Sequence, residues 1–140
     1  MSGGKTFLDT NILVYAHDTS AREKHEAARD LVTGLWETGT GLLSTQVLQE
    51  FLVTVVRKIP KPMSLVAAKD IVSSLLAWEV VVNDGPAILR AADLMARYRL
   101  SFWDALIVQS AVDGGASTIC SEDLTHGQTI HGVLVENPFL

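Results

Sequence analysis

Short runs of β-favouring residues alternate with longer helical patterns along the chain, and this alternation limits the folds that it can adopt. Five apolar runs bounded by turn or polar residues are predicted to be strands. They are residues 5–8, 41–44, 79–82, 117–120 and 132–135. Helical patterns cover approximately residues 21–37, 46–58, 64–77, 86–98 and 103–113. This order predicts an α/β fold, in which a mostly parallel sheet of roughly five strands lies between helices.

The length and composition favour one soluble domain. The 140 residues fit a single domain, residues 1–140, with one hydrophobic core. Cys120 is the only cysteine, so an intramolecular disulfide is excluded. No apolar run approaches the ~20 residues of a membrane-spanning helix. The first residues also lack the apolar stretch of a secretory signal, so we expect a cytoplasmic protein without a membrane partner.

The charge and the apolar content constrain the partners. The net charge of −5 counts against a protein that binds nucleic acid through a basic surface alone. It is compatible with an enzyme that holds nucleic acid through bound cations, because a divalent ion inverts the local charge. Hydrophobic residues make up 48% of the chain. That content is high for a small domain, so we expect another chain to cover part of the apolar surface.

Polar residues follow several of the predicted strands directly. Asp9 and Asn11 follow the first strand, and Ser121, Glu122 and Asp123 follow the fourth. Because the carboxyl ends of parallel strands meet at one edge of a sheet, ligands bind in the crevice there. Each aspartate has an ordinary alternative role, as a helix N-cap or in an Asx turn. We favour Asp123 over Glu122 as the acid of the crevice, but the sequence leaves that choice open.

Two further acids lie on predicted helices. Glu50 lies just outside the edge of the apolar stripe of its helix, where a side chain can reach the crevice or be solvated. Asp104 lies within the apolar stripe of the helix that contains Ile107 and Val108. A buried carboxylate needs a partner. For Asp104 the partner is expected to be an arginine, the N–H groups of the first helical turn, or a metal ion.

Four acids from separate segments indicate a metal site. Carboxylates brought together repel one another unless a cation neutralises them, and oxygen ligands select Mg²⁺ or Mn²⁺. The histidines show no zinc-like spacing, and no nucleophile elbow or phosphate-binding loop occurs. The chemistry that fits is metal-assisted hydrolysis of a phosphodiester. The predicted acids are Asp9, Glu50, Asp104 and Asp123.

Four segments of the sequence resemble PIN-domain ribonucleases, in particular the VapC toxins of toxin–antitoxin pairs. They are "FLDTNILVYA" at 7–16, "STQVLQEF" at 44–51, "LSFWDALIVQSA" at 100–111 and "CSEDLTHGQTIHGVLVENPF" at 120–139. The resemblance implies a Rossmann-like three-layer α/β/α sandwich and an endoribonuclease that depends on Mg²⁺, for which Mn²⁺ may substitute. It also implies an RNA substrate, a homodimer and inhibition by a VapB-type antitoxin.

The resemblance also implies a role for each site residue. The family's acids fall on Asp9, Glu50, Asp104 and Asp123. Asp9 and Asp104 would be the main metal ligands, with Asp123 as a further one. Glu50 and Asp123 would bind or orient metal-bound water, and one of them would help to deprotonate it. Asn11 and Ser121 match the residues that orient carboxylates or substrate.

Two other functions compete with this interpretation. A haloacid-dehalogenase-like phosphatase also has an aspartate after its first strand, but it needs a second aspartate where this chain has Asn11. A PIN-like interaction module without catalytic activity would suit the acidic charge and the apolar content. The helical segments on both sides of the Pro60–Pro62 connection are predicted to help form a dimer or antitoxin surface.

Overall fold

The strands and helices follow the predicted alternation closely. The structure, a computed structural model, describes residues 4–140, so residues 1–3 of the predicted domain lie outside the described part. The strands are β1 (Lys5–Leu8), β2 (Gly41–Ser44), β3 (Glu79–Val81), β4 (Ala116–Cys120), β5 (Thr129–Ile130) and β6 (Val133–Glu136). The α-helices are α1 (Thr10–Tyr15), α2 (Glu23–Thr38), α3 (Thr45–Arg57), α4 (Leu65–Leu75), α5 (Gly85–Tyr98) and α6 (Phe102–Asp113).

The strands form one sheet in the order β3-β2-β1-β4-β6-β5. All neighbouring pairs are parallel except β5 with β6. The predicted α/β fold with a mostly parallel sheet is therefore confirmed. The predicted strand count was one short, because β5 contains two residues and its pattern is too short to be recognised in the sequence.

Both faces of the sheet are covered, as a three-layer sandwich requires. Consecutive residues of a strand point to opposite faces. Phe7 and Leu8 of β1 are both fully buried, and so are Leu42 and Leu43 of β2. Among the helices that cover the sheet, α1 packs against α2 and α3, while α5 packs against α6. Among the described helices, none combines the length and the apolar character that crossing a membrane requires.

Local side-chain chemistry explains where several helices begin. Ser64 Oγ accepts the N–H of Ala67 at 3.1 Å and starts α4 after the proline-containing connection. Asp84 Oδ1 accepts the N–H of Ala87 at 2.9 Å and starts α5. These bonds satisfy N–H groups that have no partner within a helix. The helix α2 begins slightly later than predicted, because Arg22 has a φ of 55° that no α-helix accommodates.

The topology creates a crevice beside the central strand. From β1 the chain builds β2 and β3 on one side, whereas β4, β6 and β5 lie on the other side. The order of the strands thus reverses between β1 and β4, and ligands of open α/β sheets bind outside the carboxyl ends of the strands at such a point. Asp9 follows β1 and Ser121 follows β4 at this position.

Candidate active site

A cavity of about 680 Å³ opens at the carboxyl ends of the central strands. Its wall contains all four acids that the sequence predicts, although they belong to four separate segments. They are Asp9, Glu50, Asp104 and Asp123. Thr10, Asn11, Gln46 and Trp103 line the same cavity. We call this region the acidic cleft. The roles of these residues stay predictions, and their positions follow from the contacts below.

Asp9 is both the cap of a helix and part of the cleft. Its Oδ1 accepts the N–H of Thr10 at 2.7 Å, so Asp9 caps α1 as the ordinary alternative predicted. Its Oδ2 accepts the hydroxyl of Ser121 at 2.7 Å. The residue is only 5% exposed. Burial raises the pKa of Asp9 to about 6; both hydrogen bonds oppose that shift, and the charges of Asp123 and Asp104 add to it.

Ser121 ties the loop after β4 to Asp9. Its buried Oγ donates to Asp9 and accepts the N–H groups of Asp123 at 3.1 Å and Leu124 at 3.3 Å. One hydroxyl therefore fixes the carboxylate of Asp9 and the backbone that carries Asp123. The orienting role that the resemblance implies for Ser121 stays a prediction.

Asp104 enters the cleft from the first turn of α6. The cap of that helix is Ser101, whose Oγ accepts the N–H of Asp104 at 3.1 Å, so the capping alternative does not describe Asp104 itself. Asp104 is half-buried. Burial is the main cause that raises its pKa, and the negative charges of Asp123 and Glu50 add to it, while a hydrogen bond with Ser101 opposes it. Asp104 therefore lies close enough to Asp123 and Glu50 for their negative charges to oppose its ionisation.

Glu50 projects from α3 towards α1. Its Oε1 accepts the hydroxyl of Thr10 at 2.7 Å, and its Oε2 lies 3.5 Å from Nε2 of Gln46. The side chain is half-buried and lines the cavity, so it is more than a solvated surface charge. Thr10 thereby links Asp9, which follows β1, to Glu50 of α3. This threonine was not among the residues predicted for the site.

The structure separates Asp123 from its neighbour Glu122. Asp123 lines the cleft, and its Oδ2 accepts Nδ2 of Asn11 at 2.9 Å. Glu122 points elsewhere: it accepts the hydroxyl of Tyr15 at 2.5 Å and forms a salt bridge with Lys24. We call the group of Tyr15, Lys24, Glu122 and Phe139 the lysine clamp. Of these two neighbours, Asp123 is thus the one that lies in the acidic cleft.

Aromatic rings complete the lysine clamp. The Nζ of Lys24 lies 5.2 Å from the ring centroid of Tyr15 and 5.4 Å from that of Phe139. The two rings meet edge to face, with their centroids 5.4 Å apart. The clamp therefore joins α1, α2, the loop after β4 and the end of the chain around one cation.

The acids of the cleft suit a divalent cation chemically. Within residues 4–140, no salt bridge involves Asp9, Glu50, Asp104 or Asp123. Two buried amide oxygens of the wall, Asn11 Oδ1 and Gln46 Oε1, also receive no hydrogen bond from the described residues. Uncompensated carboxylates together with unpaired oxygens form the donor set that Mg²⁺ and Mn²⁺ prefer.

The cleft is not arranged as a closed metal site. In the described part of the chain, no three His, Cys, Asp or Glu side chains converge at coordinating distance. Three of the four acids instead have a separate side-chain hydrogen-bond donor: Ser121 for Asp9, Thr10 for Glu50 and Asn11 for Asp123. The oxygen ligands of the cleft therefore fit Mg²⁺ or Mn²⁺ by their chemistry.

Gln46 was not among the residues predicted for the site. Its Nε2 donates to the backbone oxygen of Trp103 at 3.1 Å, and it lies one helical turn before Glu50 on α3. The four-residue spacing places Gln46 and Glu50 on the same helix face, and this was the signal available in the sequence. Trp103, whose side chain borders the cleft, is 62% exposed.

Comparisons with known proteins bear on this arrangement. The model of the PIN domain family matches residues 6–129. Comparison with curated proteins finds no significant match. Several solved structures share the fold at low sequence identity.

The first of these structures is VapC20 of Mycobacterium tuberculosis, a sarcin–ricin loop cleaving toxin. It has a TM-score of 0.64 and 20% identity, over 82% of this chain and 87% of that one. VapBC2 of Rickettsia felis, bound to a promoter DNA fragment, has a TM-score of 0.66 and 22% identity, over 94% of this chain and 97% of that one. DNA-bound VapBC of Salmonella typhimurium has a TM-score of 0.64 and 21% identity, over 96% and 98% of the two chains.

Proposed function

The chain belongs to the PIN domain family, and from this premise we propose that it is an endoribonuclease dependent on Mg²⁺ or Mn²⁺ that acts as the toxin of a toxin–antitoxin pair. The observation that carries the proposal is the acidic cleft. Four carboxylates share it, and none of them forms a salt bridge within residues 4–140. Such a site attracts a divalent cation, and through it a phosphodiester.

Each residue of the cleft has a physical role in this proposal. Asp9, Asp104 and Asp123 would hold the ion. The chemistry that a bound divalent cation supplies is a water of lowered pKa and neutralisation of charge on the phosphoryl oxygens. Glu50 and Asp123 would orient the attacking water, and one of them would accept its proton. Thr10 donates to Oε1 of Glu50 at 2.7 Å, which would hold this side chain in place for the task.

Two residues would keep the carboxylates in place. Ser121 holds Asp9 through a bond of 2.7 Å, and Asn11 holds Asp123 through a bond of 2.9 Å. The asparagine donates an N–H at the position where a phosphatase of the haloacid-dehalogenase type needs a carboxylate. That chemistry needs a second acid, so Asn11 favours nuclease chemistry over the phosphatase.

The proposed partners rest on the related structures and on the surface of the helices. VapBC2 of Rickettsia felis and VapBC of Salmonella typhimurium are complexes bound to DNA, so we propose a VapB-type antitoxin for this chain. Apolar side chains on α3 and α4 are exposed and would suit a homodimer or antitoxin surface. They are Val53, Leu65 and Val66. Static light scattering at micromolar concentration tests the dimer, and a monomeric mass contradicts it.

An RNA-cleavage assay tests the nuclease. We expect cleavage of total RNA with Mg²⁺ or Mn²⁺, no cleavage with EDTA, and loss of activity in Asp104→Asn. Asp93→Asn is the matched control, because it removes the same charge from an exposed position on α5. Cleavage by a folded Asp104→Asn protein at the rate of the control would contradict the proposal.

Calorimetric titration with Mn²⁺ distinguishes the enzyme from a non-catalytic interaction module. The enzyme is expected to show saturable binding that Asp9→Asn and Asp104→Asn weaken. A module without a metal site would show no saturable heat. This measurement does not depend on knowing which RNA is cleaved.

A further inference from the structure

Gln46 occupies the junction between the two helices that bring Glu50 and Asp104 into the cleft. It is the second residue of α3, it is 5% exposed, and it lines the cavity. Its Nε2 donates to the backbone oxygen of Trp103, the residue directly before Asp104, at 3.1 Å. The same nitrogen lies 3.5 Å from Oε2 of Glu50.

These neighbours determine which way the amide faces. The carbonyl of Trp103 and the carboxylate of Glu50 can only accept hydrogen bonds, so the side-chain nitrogen of Gln46 must face them. A flipped amide would place two oxygens against each other on both sides. The side-chain oxygen, Oε1, therefore belongs on the opposite side of the amide.

Oε1 of Gln46 is buried, and no donor among residues 4–140 reaches it. Buried polar atoms nearly always have a partner, and an unpaired one in a cleft calls for a ligand or an ordered water. Asn11 shows the same arrangement, because its Nδ2 donates to Asp123 while its buried Oδ1 is unpaired within the described residues. Two amides of the cleft thus each use the nitrogen as a donor within the protein, to Trp103 and to Asp123, and keep a buried acceptor oxygen.

We propose that Gln46 is a further functional residue of the acidic cleft, whose Oε1 accepts a hydrogen bond from an O–H group of the bound reactants. Two sources supply such a donor: the water shell of the divalent cation, or a ribose 2′-hydroxyl of the RNA. The inference rests on the proposed nuclease function and adds a residue to it. Gln46 acts by positioning a donor and is not itself a group that reacts.

Three variants separate the functions of the two amide atoms. Gln46→Met removes both the oxygen and the nitrogen at nearly constant volume. Gln46→Glu keeps an oxygen towards the cleft but cannot donate to Trp103. Gln109→Met is the matched control, since Gln109 is 6% exposed, donates to Asp113 at 2.8 Å, and lies outside the cavity.

Calorimetric titration with Mn²⁺, without RNA, tests the first source. If Oε1 accepts from a water of the ion, Gln46→Met binds Mn²⁺ about tenfold more weakly, as is typical for loss of an outer-shell partner. Gln109→Met binds as the wild type does. Gln46→Glu binds at least as tightly as the wild type, because it keeps the oxygen and adds charge. If Gln46→Glu loses affinity as Gln46→Met does, only the bond to Trp103 matters and the proposal is wrong.

Cleavage of paired oligonucleotides tests the second source. The probes are a single-stranded RNA that the wild type cleaves and the same sequence with one 2′-deoxyribose on the 5′ side of the scissile phosphate. If Oε1 accepts from this hydroxyl, the wild type cleaves the substituted probe about tenfold more slowly, a typical effect of leaving a buried polar partner unpaired. Gln46→Met then cleaves both probes at one rate, while Gln109→Met keeps the preference.

The outcomes separate this inference from the proposed function. Unchanged Mn²⁺ affinity together with an unchanged preference for the ribose probe in folded Gln46→Met overturns the role of Gln46 and leaves the nuclease intact. If Gln46→Met does not fold, the same two measurements on Gln46→Leu decide, because leucine also removes both amide atoms. A wild type that binds no Mn²⁺ refutes the metal-dependent nuclease, and the role of Gln46 with it.

Discussion

Glu122 and Asp123 are consecutive residues, but their side chains enter two regions with opposite electrostatics. In the lysine clamp, Glu122 is in contact with the ammonium group of Lys24 and the hydroxyl of Tyr15. In the acidic cleft, Asp123 has the amide of Asn11 as its hydrogen-bond donor, and the charges around it are other carboxylates. In the loop after β4, Glu122 therefore forms a salt bridge, whereas its neighbour Asp123 forms none within residues 4–140.

The pKa values of Asp9, in the acidic cleft, and Glu122, in the lysine clamp, are shifted in opposite directions. Burial raises the pKa of Asp9 to about 6, and the surrounding acids reinforce the shift. Burial also acts upwards on Glu122, but the hydrogen bonds from Lys24 and Tyr15 and the charge of Lys24 outweigh it and lower the pKa. Folding is thus opposed by the charge of Asp9 and favoured by the charge of Glu122. A buried carboxylate such as Asp9, which has no salt bridge within residues 4–140 despite this cost, is typical of a functional site.

The largest expected effect separates the two neighbours by activity. We expect Asp123→Asn to reduce the rate of RNA cleavage at least about tenfold. Loss of a residue that orients the ligands of a metal site typically costs about tenfold to 100-fold in activity. Glu122→Gln should stay within about threefold of the wild type, because its side chain points away from the cleft. Rates are compared at saturating Mg²⁺. A stronger loss in Glu122→Gln would reverse the assignment of the two acids.

The next effect concerns stability in the cleft. Asp9→Asn removes a carboxyl group whose pKa of about 6 lies above the ordinary aspartate value near 4. Keeping this group charged in the folded protein therefore costs about 3 kcal/mol at neutral pH. The asparagine cannot accept the hydroxyl of Ser121 and fix Thr10 equally well, so we expect a net gain of about 1–2 kcal/mol at pH 7 with EDTA. Chemical denaturation of both proteins measures the difference.

The sign of the pH dependence checks this explanation. Because the pKa of Asp9 is raised, folded protein binds the proton more tightly than unfolded protein, and the penalty from Asp9 shrinks as the pH falls from 7 towards 4. The advantage of Asp9→Asn should therefore fade over that range. At one Mn²⁺ concentration, the ion should stabilise the wild type more than the variant. A variant that is less stable than the wild type at pH 7 in EDTA contradicts the argument.

The sequence predicted much of this frame because the relevant signals are local. The bounds of β1 and β2 follow directly from short apolar runs, and Ser64 and Asp84 start helices through their own side chains. Parallel strands bring their carboxyl ends together, so the approach of Asp9 and the loop after β4 followed from the topology. What could not be predicted depends on contacts between distant segments.

Three features of the cleft show this limit. The sequence did not decide between Glu122 and Asp123, because the choice depends on how Ser121 Oγ holds the backbone of the loop. It did not reveal the bond from Thr10 to Glu50, which joins residues 40 positions apart. Nor did it reveal Gln46, whose partner is a backbone oxygen of another helix. Each contact requires side-chain directions that emerge only from packing.

The smallest expected effect measures the lysine clamp by itself. We expect Glu122→Gln to destabilise the protein by about 0.5–1 kcal/mol at pH 7, because glutamine keeps the shape but not the charge that Lys24 and Tyr15 contact. The pKa of Glu122 is lowered by folding, so its contribution is present above the ordinary glutamate pKa and is lost as the pH falls below it. The difference between wild type and variant should therefore shrink on acidification, as it does for Asp9→Asn, but with the wild type as the more stable protein at pH 7. Urea titrations with the two variants in parallel give both signs in one experiment. If Glu122→Gln were more stable than the wild type at pH 7, the clamp and the cleft would not differ in the way that their contacts indicate.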